Sequence, residues 1–377
     1  MFRLRASARQ VPNRSPDGVP LRRFDTTGAM STPPVFASVY RGALVESAHR
    51  GDAAVVDEDG QLLAWSGDPT RKIFLRSAAK PIQAMPLLDS DGAERFRLSS
   101  SEIALMCASH SGEPRHVRVV RRLLDRGGFS ASSLVCGAQP PTDERSALAL
   151  LRRRERPSRL HNNCSGKHAG LLLACRILEL PSKGYGEAAH PLQQAIRGRL
   201  AELGSVPEGE MEVAIDGCGL SVFSAPLSAL ALAYARLVAR RVTGETSRQR
   251  RTRRLILKSV SEEPEMVAGS GRFTTEFLRA GRGRWLGKEG AEGVYAIGLR
   301  ADSAARRAVG IAFKIEDGSA RARDAVALRL LAQIGRLTRA ARHELARFAS
   351  PVVTNSAGDV VGSIDPEVPI IRRDGAS

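Results

Sequence analysis

The chain has 377 residues, a formal net charge of +17, 42% hydrophobic and 5% aromatic content, which suits one large or two moderate soluble domains with cores mostly of Ala, Leu and Val. No apolar run is long enough to cross a bilayer; the longest, around Phe223 to Val238, is broken by serines, a proline and Arg236. Five sparse cysteines argue against a disulfide framework and suit a reducing, cytoplasmic setting.

Only seven of the 57 basic residues are lysines: Lys72, Lys80, Lys167, Lys183, Lys258, Lys288 and Lys314. Arginine keeps its proton, so these few lysines mark places where a neutral or point-like amine is required.

Residues 1 to about 34 are rich in Arg, Pro and Ser, and are expected to be disordered or to precede a true start near Met30; no apolar stretch of a secretory signal follows the basic residues. Order is expected over 35–373. Alternating apolar residues predict strands over Val35 to Val45 and Ala53 to Trp65, the second turning at Asp57-Glu58-Asp59-Gly60. Helical patterns follow at Ser77 to Leu88, Ser101 to Cys107, Arg115 to Arg126, Glu144 to Glu155, Lys167 to Leu178 and His190 to Leu203. A short strand over Glu212 to Ile215 leads into the tight turn Asp216-Gly217-Cys218-Gly219, and Pro226 to Arg240 reads as a buried helix. The basic stretch Arg240 to Arg254 reads as a solvated loop or helix face; without interleaved aromatics it makes a poor nucleic-acid site. Paired strands are expected at Glu292 to Leu299 and Ala308 to Ile315, a helix at Ala320 to Leu337 and a hairpin at Val352 to Ser363. Strands at both ends with helices between predict an α/β (α+β) fold: an antiparallel sheet from about 35–75 and 289–373, and a mostly helical part over about 76–288.

Four stretches carry chemistry. In Arg76-Ser77-Ala78-Ala79-Lys80-Pro81, a helix opening at Ser77 puts Lys80 one turn on, where a neutral amine could take the serine proton. A serine-capped helix with an exposed lysine is the plainer reading of the same spacing. In His161-Asn162-Asn163-Cys164-Ser165-Gly166-Lys167-His168, Cys164 and Lys167 repeat that spacing at a helix start, where the dipole favours thiolate, and Cys218 could add a second sulfur. Two thiolates and a nitrogen leave a fourth tetrahedral position open on Zn²⁺; two small buried hydrophobes is the alternative. Ala108-Ser109-His110-Ser111 supplies hydroxyls for a proton relay or an oxyanion, and Gly287-Lys288-Glu289-Gly290 loosely resembles a Lys-[Ser/Thr]-Gly strand. Gly269-Ser270-Gly271-Arg272 lacks the ending of a phosphate loop, and His161 and His168 lie beside the candidate metal site.

Together with Met266-Val267-Ala268-Gly269 these segments resemble, in order and spacing over roughly residues 35 to 370, the rhizobial-type L-asparaginases, or asparaginase II family. The resemblance implies a fold similar to serine β-lactamases, penicillin-binding proteins and glutaminases. It implies hydrolysis of L-asparagine to L-aspartate and ammonia, with Ser77 as nucleophile, Lys80 as its base, and Ser109 with Lys288 as a second Ser-Lys pair. Arg76 and Asp216 would bind substrate, Cys164, Lys167 and Cys218 would hold Zn²⁺, and the enzyme would be a homodimer without nucleic-acid or membrane partners. A β-lactamase or DD-peptidase relative shares the Ser-x-x-Lys logic, and a basic nucleic-acid-binding protein is the non-enzymatic alternative.

Overall fold

The computed structural model describes residues 32–373 apart from 302 and 304–306, so the basic segment 1–34 falls almost entirely outside the described residues. The strands are β1 (Val35–Arg41), β2 (Leu44–Asp57), β3 (Leu62–Ser66), β4 (Lys72–Phe74), β5 (Val213–Ile215), β6 (Ser221–Pro226), β7 (Trp285–Glu289), β8 (Val294–Leu299), β9 (Val309–Ile315), β10 (Val352–Thr354), β11 (Val360–Pro366) and β12 (Ile371–Arg372). Nine of them form one sheet in the order β10-β11-β1-β2-β9-β8-β7, with β3 pairing both β2 and β12. All of these pairings are antiparallel. The sheet therefore draws on both ends of the chain, and helices occupy most of the sequence between them.

Side-chain alternation explains why both faces of this sheet are covered. Ala54 and Val56 of β2, Val294 and Ala296 of β8 and Ala312 of β9 join one core with the central helices. Their neighbours Ala53, Val55, Tyr295, Ile297, Ile311 and Phe313 join a second core under the Arg323–Gln333 helix. The Ala-rich helix Leu227–Val238 lies directly on the first face. Its approach depends on two glycines: a Cβ at Gly310 would come within 1.7 Å of the Ala231 carbonyl, and one at Gly298 within 2.6 Å of that of Tyr234.

Several expectations need adjustment. Val35 to Val45 is a hairpin rather than one strand, because Gly42 takes φ 56° and reverses the chain. Ser77 to Leu88 is broken into a 3-10 turn at Arg76–Ala79 and short helices at Lys80–Gln83 and Met85–Asp89. Pro81 and Pro86 sit at the starts of those helices, where their missing N–H groups leave no bond to continue the previous turn. The expected helix Ala320 to Leu337 covers Arg323–Gln333. β6 and the helix Phe273–Gly281 were not expected, and β7 was foreshadowed only by the loose strand resemblance at Gly287-Lys288-Glu289-Gly290.

Arg240 to Arg254 leads into the helix Ser247–Glu262, opened by a capping box between Thr246 and Gln249. Four of its cations are occupied within the chain: Arg250 and Arg253 bind Glu245, while Arg248 and Arg251 bind Asp91. Thr252 adds a 2.7 Å bond to Asp89. Among the described residues, no helix is long and apolar enough to cross a membrane.

Candidate active site

The small antiparallel sheet β4-β6-β5 delivers both sides of the site entrance. Phe74 pairs with Ser224, and Leu75 continues the ladder by donating to the Phe223 carbonyl. The chain then swings into the 3-10 turn through Arg76, a non-glycine residue at φ 48°. Such a conformation costs of order 1–3 kcal/mol and persists where surrounding contacts enforce it. Here the enforcing contact is Asp216: Arg76 Nε and Nη2 both lie 3.0 Å from its Oδ1. Asp216 is fixed in turn by the bonds from Gly217 N to its Oδ1 and from Gly219 N to its carbonyl.

Ser77 follows, half-buried, and its hydroxyl has no hydrogen-bond partner among the described residues. Lys80 is fully buried: its Nζ donates to the Ala108 carbonyl at 2.5 Å and lies 3.0 Å from Ser109 Oγ. On the far side, Lys288 Nζ at the end of β7 lies 2.8 Å from the same Ser109 Oγ and donates to the Glu289 carbonyl at 2.9 Å. Ser109 is held by its own backbone, its N–H bonding Val267 O and its carbonyl accepting from Arg272 Nη1 at 2.9 Å.

Burial pushes the Lys288 amine down to about 7, with Lys80 and Arg272 adding to the shift and Glu289 opposing it. A neutral Lys288 can accept the Ser109 hydroxyl proton, with the Lys80 amine within hydrogen-bond distance of the same oxygen. The arrangement is thus a three-membered proton chain, amine to hydroxyl to amine.

Next to Lys80 lies the thiol cluster. Cys164 precedes the helix Ser165–Ile177, and Lys167 in its first turn donates to Cys218 Sγ at 3.1 Å. The hydrogen bond with Cys218 holds the Cys164 thiol well below its usual range against the opposing effect of burial, with the Lys80 and Lys167 charges helping. The same bond, with burial, pushes Cys218 up. For Lys167, burial opposes the charge, but the sulfurs of Cys164 and Cys218 raise it above the normal lysine value. Among the described residues, no cluster of three or more His, Cys, Asp or Glu side chains could hold a metal ion. The two sulfurs and the Lys167 nitrogen expected to hold Zn²⁺ do come together in the buried site, but the sulfurs raise the proton affinity of the amine, and a protonated amine has no lone pair to offer a metal.

Ser77, Lys80, Ser109, Lys288, Arg76, Asp216, Cys164, Lys167 and Cys218 thus meet in one region through contacts from Asp216 to Cys218. The nearby histidines turn their ring nitrogens to other partners. His168 Nδ1 pairs with Tyr185 Oη at 2.7 Å, and His161 Nδ1 accepts from Ser158 N at the start of a 3-10 turn. His110 stacks on His116 at 5.0 Å and bonds Ser165 Oγ through Nε2 at 2.9 Å. Ser111 donates to Glu113 rather than joining the proton chain. Two participants escaped sequence reasoning, Arg272 and Glu289. The signal that could have found them is a carboxylate placed directly after a lysine that must be neutral.

Residues 37–366 match the sequence model of L-asparaginase II. Among curated proteins there is no significant match. Among solved structures, the chain is similar to the Bacillus subtilis glutaminase YbgJ, in its covalent complex with 5-oxo-L-norleucine, at 13% identity and a TM-score of 0.36, over 77% of this chain and 89% of that one. It is also similar to Mglu at 17% identity and a TM-score of 0.33, over 81% and 72% of the two chains. With the family match spanning nearly all of the described residues, the chain belongs to the L-asparaginase II family.

Proposed function

We propose that this amidohydrolase cleaves L-asparagine to L-aspartate and ammonia through an acyl-enzyme on Ser77. What supports the reading above all is the Ser109 hydroxyl lying 3.0 Å from Lys80 Nζ and 2.8 Å from Lys288 Nζ. Lys80 passes a proton to Ser109 as Ser109 passes its own to neutral Lys288, which leaves Lys80 neutral one turn from Ser77. Ser77 then attacks the side-chain carbonyl carbon and its proton goes to Lys80. The tetrahedral intermediate expels ammonia, which leaves with the proton from Lys80. Water then attacks the ester carbonyl and gives a proton to the same amine, which passes it to the Ser77 oxygen as the ester bond breaks and aspartate leaves. The Ser77–Lys80 bond is absent before substrate arrives, as is common for catalytic contacts that tighten only in the complex.

Arg76 and Asp216 lie at the entrance with opposite charges in contact, a pairing suited to the carboxylate and ammonium of an α-amino acid. Zn²⁺ on Cys164, Lys167 and Cys218 would supply an electrophilic centre with a free coordination position. A cytoplasmic homodimer completes the proposal; the five buried, unpaired cysteines suit that location.

A panel of asparagine, glutamine and a β-lactam, run with metal analysis on one preparation, tests this function. Ammonia release from asparagine above the other two supports it. Turnover of the β-lactam with no ammonia from asparagine overturns it.

A further inference from the structure

Successive side chains on a strand point to opposite faces, so Glu289 should turn away from Lys288. At the end of β7 it does not. Its Oε1 lies 3.3 Å from Lys288 Nζ and 3.2 Å from Arg272 Nη2, while its Oε2 accepts from Thr274 Oγ1 at 2.6 Å. Arg272 Nη1 reaches the Ser109 carbonyl, so a closed circuit runs from Ser109 Oγ through Lys288, Glu289 and Arg272 back to the Ser109 backbone. Lys288 is 0% exposed and Glu289 5%, so these charges act on one another with little solvent between them.

We propose that Glu289 and Arg272 are a matched pair of positioning residues that aim the Lys288 amine at Ser109 and set its proton affinity in opposite senses. The carboxylate alone would keep Lys288 an ammonium ion, with no lone pair for the Ser109 proton. The guanidinium alone would leave the amine unprotonated throughout the cycle, unable to hold the proton it receives. Their balance lets one amine both accept and return a proton near neutral pH.

The other groups facing Lys288 act consistently. Lys80, across Ser109, disfavours a second charge. The Cys107 thiol is pushed up to about 12 by burial and stays neutral. Behind Glu289, Arg323 supports the carboxylate, while Tyr295 is raised well above its usual range by burial and the Glu289 charge and is not a proton source. The usefulness of the balance to turnover rests on the function proposed above; the balance itself does not.

Lysine-selective ¹³C,¹⁵N labelling gives seven side-chain signals to follow by NMR, and loss of one in Lys288→Met identifies that of Lys288. Glu289→Gln is expected to lower its titration midpoint by about one pH unit and Arg272→Met to raise it by about one, while Arg272→Lys restores the native value. If Glu289→Gln does not fold, the contrast between Arg272→Met and Arg272→Lys carries the test. A merely structural ion pair leaves the midpoint unmoved or moves it the same way in both variants, and either result overturns the proposal. The titration needs no substrate: an inactive protein with opposed shifts would remove the proposed reaction alone, and an active one with a fixed midpoint would remove this inference alone.

Discussion

Lys80 and Lys288 converge on a single hydroxyl, with Ser109 Oγ 3.0 Å from one amine and 2.8 Å from the other. Two ammonium groups this close in a buried site repel strongly, so one of them gives up its proton near neutral pH. The sequence supplies both lysines among very few, and the fold brings them from the first helical turn and from the last strand before the chain returns to the sheet's centre.

The acid limb of ammonia release is expected to follow Lys288, with activity rising through about pH 7 as the amine becomes neutral. Stability has a matching sign. The folded-state value lies below that of the unfolded chain, so the folded state binds fewer protons between about pH 7 and 10.5 and gains stability as pH rises. Lys288→Met should remove activity and, near pH 7, remove a destabilisation on the order of 4 kcal/mol. Denaturant melts of both proteins at pH 7 and pH 10 check this: their difference should shrink at the higher pH.

Ser109→Ala cuts the link between the amines while leaving Ser77 in place. Turnover should fall by roughly 10²–10⁴-fold. Rapid-quench kinetics should show the acylation burst lost rather than substrate affinity.

How far the site was legible depends on the range of each signal. Motif order brought Ser77, Lys80, Ser109, Cys164, Lys167, Cys218 and Lys288 to notice, and the structure gathers them. Local spacing could not report which acceptor Lys80 selects, because Ala108 O and Ser109 Oγ come from a distant loop. β7 showed only as a loose strand resemblance because its Lys288-Glu289 end also reads as a polar turn, although every residue of the strand is buried. Its charges are satisfied by Arg272 and Ser109, which no periodicity reveals. The sheet was easier, since β8, β9 and the second half of β2 are runs of apolar residues buried on both faces.

Arg76→Gly separates strain from binding. Glycine accepts φ 48° freely, so the fold should change by less than about 1 kcal/mol as relief of strain offsets the lost ion pair with Asp216. KM for asparagine should rise at least tenfold. A melt and a Michaelis curve on one preparation check both halves.

Cys164→Ala and Cys218→Ala each remove one sulfur of the candidate metal site. Zinc content should drop toward zero in both, measured by elemental analysis against the native protein. Unchanged zinc would remove the metal from the account.

Gly310→Ala tests the closeness of the Leu227–Val238 helix to β9. The added methyl meets the Ala231 carbonyl, so the helix must shift and stability should fall by about 1–3 kcal/mol or more. Thermal unfolding reads this directly.

Trapping the acyl-enzyme is the most direct measurement of all. Acid quench during steady turnover of asparagine, followed by peptide mapping, should place an aspartyl ester on Ser77 and leave Ser109 unmodified. An ester on Ser109, or full ammonia release by Ser77→Ala, would contradict the assignment of the two hydroxyls.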